Sequence, residues 1–322
     1  MTRKIKLAIA SIIFGAVLSL MTFAQSSPWV RMMNQGISNV NDVDIDDRSI
    51  WITKTDGTIW YAANDQSNFV LFPSPGFAVR IAVTEYGGYV FITTNDGRLF
   101  YRDVRSLRFP NTPIGSWQQI NRPNSFINDV AVPHDGYQSP PHSWSRLWIS
   151  ETIFPIVSSN AVKYIKAKND VSEKPLPPQN GVVSYLDYDA YLGTFNGSFI
   201  STNSMGFSRV SVKHENRNHV WGVGFNGTVW HFDGNVWTRT PAQGMSDVTE
   251  VSGNRKIWLA GQQQYNGTIW CSPDVGLTFR QEVGVQGFQN LSYHRLNPAG
   301  FVAAGYNGTL WKRPSPITPC NP

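Results

Sequence analysis

The sequence of 322 residues contains little cysteine and little charge. It has 2 cysteines, and charged residues make up 15% of the chain. Two thiols exclude a disulfide-rich scaffold and a zinc site built from cysteines. Cys271 and Cys320 either pair, which would tie the C-terminal tail to the sixth of the repeats described below, or both stay free.

Sequence signatures of catalysis are also absent. The chain has no GxSxG, HExxH, P-loop or CxxC motif, and its 6 histidines lack the spacing of metal ligands. Paired carboxylates that hydrolyse glycosides have no fixed sequence spacing, so the sequence does not locate such a pair. We therefore expect a protein that is not an enzyme and needs no cofactor.

Long apolar runs are missing except at the N-terminus. Three basic residues precede the run Leu7 to Phe23, and small residues end it. This pattern predicts a signal peptide over residues 1–24, with cleavage before Gln25. The alternative is a membrane-spanning helix, although the run is near the lower length limit for one. We expect a secreted protein, extracellular or periplasmic, without stable membrane insertion.

The basic balance of the whole chain depends partly on this segment. Removing residues 1–24 leaves 24 basic and 22 acidic residues, so the net charge falls from +5 to +2. The remaining chain has no Lys/Arg cluster of the kind that follows a phosphate backbone. Nucleic acid is therefore not an expected partner.

The most informative pattern is a repeat. Six times an Asn-Gly or Asp-Gly turn precedes an apolar strand, and the glycines stand at positions 57, 97, 197, 227, 267 and 308. If the long gap between positions 97 and 197 hides one degenerate copy, there are seven units with a mean spacing of about 42 residues, which is typical of a four-stranded propeller blade.

One repeat illustrates the predicted blade. Strand-forming runs cover Asp247–Val251, Lys256–Ala260, Thr268–Cys271 and Leu277–Glu282, and turn-forming residues separate them. Stacking such sheets around an axis would bury both faces of each sheet. The sequence thus predicts an all-β fold, a seven-bladed β-propeller of four-stranded antiparallel blades, over residues 25–322 as a single domain. Strand tryptophans are expected to pack between the blades.

The last repeat lacks its own fourth strand because prolines follow residue 313. Trp29–Met33 (WVRMM) leads into an inner strand as Trp117–Ile120 (WQQI) does, so we expect it to be the outer strand of the last blade, closing the ring. The repeat with glycine 197 lies so close to the next one, at Arg209–Gly227, that the sequence predicts only three strands in the fourth blade.

The fifth repeat resembles a known family. It reads Val220-Trp221-Gly222-Val223, then Asn226 to Trp230 (NGTVW), then Trp237. This is similar to the tectonin β-propeller repeat, and the likeness spans about residues 29 to 313. Gly224 stands where the family pattern usually has Asn. The resemblance implies a lectin that binds cell-surface glycans or lipopolysaccharide.

Strand direction predicts where a ligand would bind. In a four-stranded antiparallel blade, the turn between the second and third strands opens on the same face as the connection to the next blade. An aromatic ring beside an amide could stack on a sugar and bond its hydroxyls, and the alternative is that each Asn serves the turn and each ring packs on a neighbouring blade. The candidate ligand residues are Phe195, Asn196, Phe225, Asn226, Tyr265, Asn266, Tyr306, Asn307 and, in a proline-rich excursion, Trp144.

Two other functions are weighed against a lectin. A propeller is also a common scaffold for binding another protein. Ser272–Phe279 (SPDVGLTF) resembles an Asp-box, a hairpin-locking motif of sialidases, and its structural role is favoured. An Asp-box hydrolase would need arginines near the axis, and the set to inspect is Arg48, Arg80, Arg146, Arg209, Arg255 and Arg295.

The chain also has one acidic cluster, Asp42, Asp44, Asp46 and Asp47, which suggests a solvated turn, or less readily a calcium site.

Overall fold

The structure is a computed structural model, which describes most of the chain between residues 29 and 313. The predicted signal segment lies outside the described residues. The described residues contain no helix that is long and apolar enough to cross a membrane. They are residues 29–32, 37–63, 68–84, 88–107, 115–133, 144–153, 179–189, 194–202, 204, 206–213, 216–251, 256–261, 267–282, 287–294, 297, 299–305 and 307–313.

The fold is an all-β propeller whose four-stranded antiparallel sheets are arranged around an axis. Blade 1 contains β2 (Val40–Ile45), β3 (Ser49–Lys54), β4 (Ile59–Ala63) and β5 (Val70–Phe72). Blade 2 contains β6 (Ala78–Val83), β7 (Tyr89–Thr94), β8 (Leu99–Asp103) and β9 (Gln118–Ile120), with a short 3-10 helix at Arg105–Leu107. Blade 3 contains β10 (Ser125–Ala131), β11 (Trp144–Ile153), β12 (Gln179–Asp189) and β13 (Thr194–Ser201).

The second half of the ring repeats this order. Blade 4 contains β14 (Phe207–Lys213), β15 (Asn216–Gly224), β16 (Val229–Phe232) and β17 (Trp237–Arg239). Blade 5 contains β18 (Met245–Val251), β19 (Lys256–Gly261), β20 (Ile269–Ser272) and β21 (Arg280–Gln281). Blade 6 contains β22 (Phe288–Tyr293), β23 (Phe301–Gly305), β24 (Leu310–Arg313) and β1 (Val30–Arg31). The described strands thus form six blades, and the prediction of seven is wrong.

The error lies in the third blade. Gly197 does not end a turn between second and third strands, because it lies inside β13, where Asn196 pairs with Asp187 and the register then shifts. The Asn-Gly pair therefore marks a bulge between the third and fourth strands. Blade 3 holds what the sequence suggested were two blades, and its second and third strands are separated by residues 154–178, which lie outside the described residues.

The repeat with glycine 197, which was expected to form a three-stranded fourth blade, is part of blade 3, and blade 3 has four strands, so that expectation is also wrong. The next sheet, blade 4, is complete as well. Its outer strand β17 pairs with β16, with Trp237 opposite Phe232. The predicted alignment of Arg209–Gly227 with Arg80–Gly97 is correct, since both segments run from an inner strand to the following Asx-Gly turn. The strand that precedes β14 is β13, the outer strand of blade 3, and no outer strand is missing.

Closure of the ring by the N-terminal segment is confirmed. β1 runs antiparallel to β24, with Val30 opposite Lys312 and Arg31 opposite Trp311. The buried indole of Trp29 packs on Phe288 at a ring separation of 5.2 Å, and its N–H donates to Glu282 Oε2 of blade 5 at 3.2 Å. The first described residues thereby join the last blade to the rest of the ring.

Apolar side chains fill the six interfaces between neighbouring blades. Four strand tryptophans are fully buried there, as predicted: Trp51, Trp148, Trp221 and Trp258. Four others are half-buried, and each indole N–H donates to the hydroxyl of the threonine two residues earlier: Trp60, Trp230, Trp270 and Trp311. The tryptophans therefore serve packing and turn geometry.

Candidate functional site

The turns between second and third strands open on one side of the propeller, which we call the turn face. Each described Asx-Gly turn accepts a hydrogen bond from the start of the next blade, as in Ala78 N to Gly57 O at 3.1 Å and Met245 N to Gly227 O at 3.0 Å. The predicted coincidence of these turns with the inter-blade connections is confirmed. The equivalent bonds are Ile127 N to Gly97 O, Phe288 N to Gly267 O and Val40 N to Gly308 O.

The turn asparagines bond within their own turns. Asn226 Oδ1 accepts from Thr228 N at 3.2 Å and from the Thr228 hydroxyl at 2.7 Å. Asn307 Oδ1 accepts the same two bonds from Thr309, at 3.2 and 2.5 Å. Each threonine hydroxyl in turn accepts the tryptophan indole N–H. The amide oxygens proposed for sugar hydroxyls are therefore already used, which corrects the predicted role for this atom.

The remaining predicted ligand residues are scattered. Phe225 is 55% exposed on the turn face. Phe195 instead packs on Tyr101 of blade 2 with ring centres 4.9 Å apart, which corrects its predicted exposure at a turn. Asn196 lies in β13 and Trp144 in β11, but the structure does not describe their side chains. Tyr265, Asn266 and Tyr306 lie outside the described residues.

An apolar opening lies on the turn face of blade 1. We call it the blade 1 groove, and its volume is about 450 Å³. Leu71 and Phe77 stand at its mouth with 59% and 43% of their surface exposed. Its lining consists of Asp56, Gly57, Thr58, Leu71, Phe72, Pro73, Ser74, Gly76 and Phe77.

A single carboxylate lies in the lining of the groove. Asp56 Oδ1 accepts from the Thr58 hydroxyl at 2.5 Å and from Thr58 N at 3.0 Å, and these bonds lower the pKa of Asp56. The carboxylate is therefore ionised at neutral pH. Lys54 Nζ lies 4.0 Å from Oδ2, and while the Lys54 side chain is only 12% exposed, that of Asp56 is 58% exposed, so solvent screens part of their interaction. The groove thus combines apolar walls with one accessible negative charge.

Sequence reasoning missed this groove, although a signal exists. The outer strands of blades 2 and 5 are polar where they face the third strand, with Gln119 opposite Phe100 and Gln281 opposite Trp270. At the equivalent place in blade 1, Leu71 lies opposite Trp60. Blade 1 therefore has an apolar residue at a position where blades 2 and 5 have glutamine, and together with Phe77 it forms exposed apolar surface of the kind that marks interaction sites.

The axis of the ring is lined by polar side chains. Each inner strand has a bulge in its first half, and the residue that follows the bulge faces the axis. Three carboxylates at this level accept a backbone N–H from the next blade: Asp42 from Ile81 at 3.0 Å, Asp129 from Val210 at 2.8 Å and Asp247 from Leu291 at 2.7 Å. Arg80, Arg209 and Asn290 occupy the positions between them.

Arg209 closes this channel. Its Nη1 lies 3.4 Å from Asp42 Oδ1 and 3.4 Å from Asp129 Oδ1, so one guanidinium joins blades 1, 3 and 4. The free volume along the axis is about 70 Å³, which is room for roughly two water molecules. A sugar ring does not fit there in this conformation.

The four arginines suggested for a hydrolase that the structure describes do not converge on an open site. Arg80 and Arg209 are the two that reach the axis. Arg146 pairs with Asp187 at 2.8 Å on blade 3, and the exposed side chain of Arg48 lies 3.5 Å from Asp47 in the turn between β2 and β3. Arg255 and Arg295 lie outside the described residues.

The acidic cluster is divided by the fold. Asp42 and Asp44 line the axis, and burial raises the pKa of Asp44 to about 7. Asp46 Oδ1 instead accepts from Arg48 N and Ser49 N, both at 2.7 Å, which holds the turn between β2 and β3. Asp42, Asp46 and Asp47 are buried, so the solvated-turn interpretation is wrong. Among the described residues no group of three or more His, Cys, Asp or Glu has metal-ligand geometry.

The Asp-box-like segment has the expected structural role. Asp274 accepts from Thr278 N at 2.8 Å and from the Thr278 hydroxyl at 2.6 Å, and the Ser272 hydroxyl accepts from Gly276 N at 2.7 Å. These bonds lock the turn between β20 and β21. The neighbouring Cys271 is disulfide-bonded. Since Cys320 lies outside the described residues, the Cys271–Cys320 pairing stays a prediction.

Comparison with known proteins adds evidence on the fold. No protein-family model and no curated protein matches the chain. The structure is similar to that of U3-55K, with a TM-score of 0.53 at 9% identity over 90% of this chain and 99% of that one. It is also similar to the β-propeller domain of Cps50 (Swd1) from Myceliophteria thermophila, with a TM-score of 0.52 at 10% identity over 90% of this chain and all of that one. At these identities the likeness shows the propeller fold.

Proposed function

We propose that the chain is a protein-binding scaffold that takes an extended segment of a partner polypeptide in the blade 1 groove. The observation that carries this proposal is the exposure of Leu71 and Phe77 at the mouth of an apolar opening of about 450 Å³. This volume lies within the range of roughly 300 to 1,000 Å³ typical of ligand pockets.

The chemistry of the groove specifies the partner. Leu71, Phe72 and Phe77 favour a large aliphatic or aromatic side chain, whose burial removes apolar surface from water. The exposed carboxylate of Asp56 favours a lysine or arginine beside that side chain. The preferred segment therefore contains a large apolar residue next to a basic one. Under this proposal the chain is a binding protein and not an enzyme.

An array of short peptides that combine one large apolar residue with a neighbouring Lys, Arg or Glu tests this function. Leu71→Gln gives blade 1 the residue that blades 2 and 5 have at this place, and we expect it to weaken binding about tenfold. Leu277→Gln is the matched control, because Leu277 is 75% exposed on blade 5 and lies outside the groove. Equal loss in both variants, or no loss in Leu71→Gln, would contradict the proposal.

A second variant tests the charge preference. Asp56→Asn keeps the Oδ1 acceptor that holds the turn, as Asn226 does in blade 4. We expect it to remove the preference for Lys or Arg over Glu while retaining the preference for the apolar residue. A preference for basic peptides that is unchanged in Asp56→Asn would show that the carboxylate has no part in recognition.

A glycan-binding function is the second candidate, in line with the tectonin resemblance. Its support is Phe225, which is 55% exposed beside Asn226 on the turn face and could stack on a sugar ring. Binding on a glycan or lipopolysaccharide array that is lost in Phe225→Ala and competed by free sugar would favour it over peptide binding.

Under either function we propose that the N-terminal segment directs secretion. A secreted product that begins at Gln25 would support this.

A further inference from the structure

We propose that His219 and His231 form a binding site for a divalent transition-metal ion on blade 4. His231 lies on β16 directly opposite Trp221 of β15, and His219 precedes Trp221 by two residues. Alternate residues of a strand point to the same side of the sheet, so the two histidines share one side. Their ring centres are 5.3 Å apart, with an angle of 48° between the planes.

This separation fits a shared ion. Zinc binds a histidine nitrogen at about 2.0 to 2.1 Å with tetrahedral angles, which places the centres of two ligating rings about 5 Å apart. Imidazole also suits copper and nickel. Both rings are partly exposed, so an ion can reach them from solvent.

Neighbouring groups preorganise the pair. The buried indole of Trp221 stacks on His231 with ring centres 4.3 Å apart and an angle of 22°, which restricts the orientation of that imidazole. A ligand held in one rotamer loses less entropy when it binds an ion. His231 therefore offers a fixed ligand, and His219 needs only a side-chain adjustment.

A carboxylate adds negative charge beside the pair. Asp233 directly follows β16, and the antiparallel register brings it level with His219. Asp233 is exposed and accepts from Val236 N at 3.0 Å and from Asn235 N at 2.9 Å. The ionised carboxylate favours a cation, while the two imidazoles supply the direct protein ligands.

The site is distinct from the groove. β16 runs from the turn face toward the opposite side of the propeller, and His231 and Asp233 lie near its far end. Two protein ligands leave coordination positions for water or for a group from another molecule. The inference does not depend on the proposed function, because the histidines and the groove belong to different blades and opposite faces.

Titration of Zn²⁺, Ni²⁺ or Cu²⁺ alone into metal-stripped protein without an affinity tag tests the site. We expect binding by all three ions and none by Mg²⁺. With Cu²⁺, electron paramagnetic resonance should show coupling to two imidazole nitrogens, and to one in either His219→Gln or His231→Gln. Each variant should lose at least tenfold in affinity, whereas His142→Gln, the matched histidine control, should retain it.

Circular dichroism of each variant checks that the fold is intact. A second measurement uses the unaltered chain: Zn²⁺ but not Mg²⁺ should raise its melting temperature, because an ion that binds the folded form stabilises it. Unchanged affinity in the double variant His219→Gln/His231→Gln, coupling to fewer than two imidazoles in the unaltered protein, or absence of binding would each overturn the proposal.

Discussion

Two Asn-Gly pairs whose glycines have nearly the same φ allow the contribution of the contact between a turn and the next blade to be measured. Gly227 has a φ of 74° and Gly197 a φ of 79°, so an alanine at either position suffers the same left-handed strain, about 1 to 2 kcal/mol. Their surroundings differ. A Cβ at position 227 would lie 2.8 Å from Gly244 Cα and 2.9 Å from Met245 N, whereas a Cβ at position 197 meets nothing within 4 Å.

The difference between the two variants isolates the contact with the next blade. Both clashing groups at position 227 are backbone atoms, so the turn itself must move, and overpacking of this kind costs about 1 to 3 kcal/mol. The movement also weakens the bond from Met245 N to Gly227 O, worth about 1 kcal/mol. We expect Gly227→Ala to be about 2 to 4 kcal/mol less stable than Gly197→Ala.

Thermal unfolding of the two variants measures this difference. An unfolding entropy of about 2.1 cal/mol/K per residue over roughly 280 residues gives about 0.6 kcal/mol/K, so 3 kcal/mol corresponds to a melting temperature about 5 °C lower. Far-UV circular dichroism at equal scan rates suffices. If the two variants melt within about 1 °C of each other, the contact between the turn and the next blade does not stabilise the fold as stated, and this explanation is refuted.

Two further predictions concern closure and pH. Trp29→Ala should cost about 3 to 5 kcal/mol in denaturant unfolding, because it empties a packed aromatic site, while Val30→Ala on the same strand should change little; equal effects would contradict the closure contact. Burial raises the pKa of Asp44 and Asp247 to about 7. The folded state therefore binds more protons than the unfolded state between about pH 4 and 7, and the free energy of unfolding should fall as the pH rises through that range. Asp44→Asn should reduce the drop in melting temperature from pH 5 to 7.5, and an unchanged drop would show that this carboxyl does not titrate as stated.

Much of the fold could be predicted because its determinants are local. Alternating apolar residues and Asx-Gly turns predict the four strands of each regular blade, and the segment at Trp29 is confirmed as the closing strand. The number of blades could not be obtained in this way. Asn196-Gly197 has the composition of a hairpin turn but forms a bulge within β13, and only its pairing with β12 distinguishes the two. That pairing is a long-range property.

The sequence predicted the face of the propeller on which the candidate site lies, but not the residues that form the groove. Strand direction correctly placed the turns and inter-blade connections on one face. The chemistry of Asn226 and Asn307 was misassigned, since an amide that holds a turn has the same sequence signature as one that awaits a ligand. The blade 1 groove depends on how Leu71 and Phe77 converge from an outer strand and a connection, which the spacing of the repeat does not encode.

The residues that face the axis show that the chain is organised in units of two blades. Carboxylates belong to blades 1, 3 and 5, and their arginine or asparagine partners belong to blades 2, 4 and 6. Loss of blade 2, 4 or 6 would place two of the buried carboxylates side by side, and loss of blade 3 would place Arg80 beside Arg209. Buried charges without a compensating partner are strongly destabilising. Duplication or deletion of a blade pair preserves the alternation, so a ring of this type is expected to grow or shrink by an even number of blades.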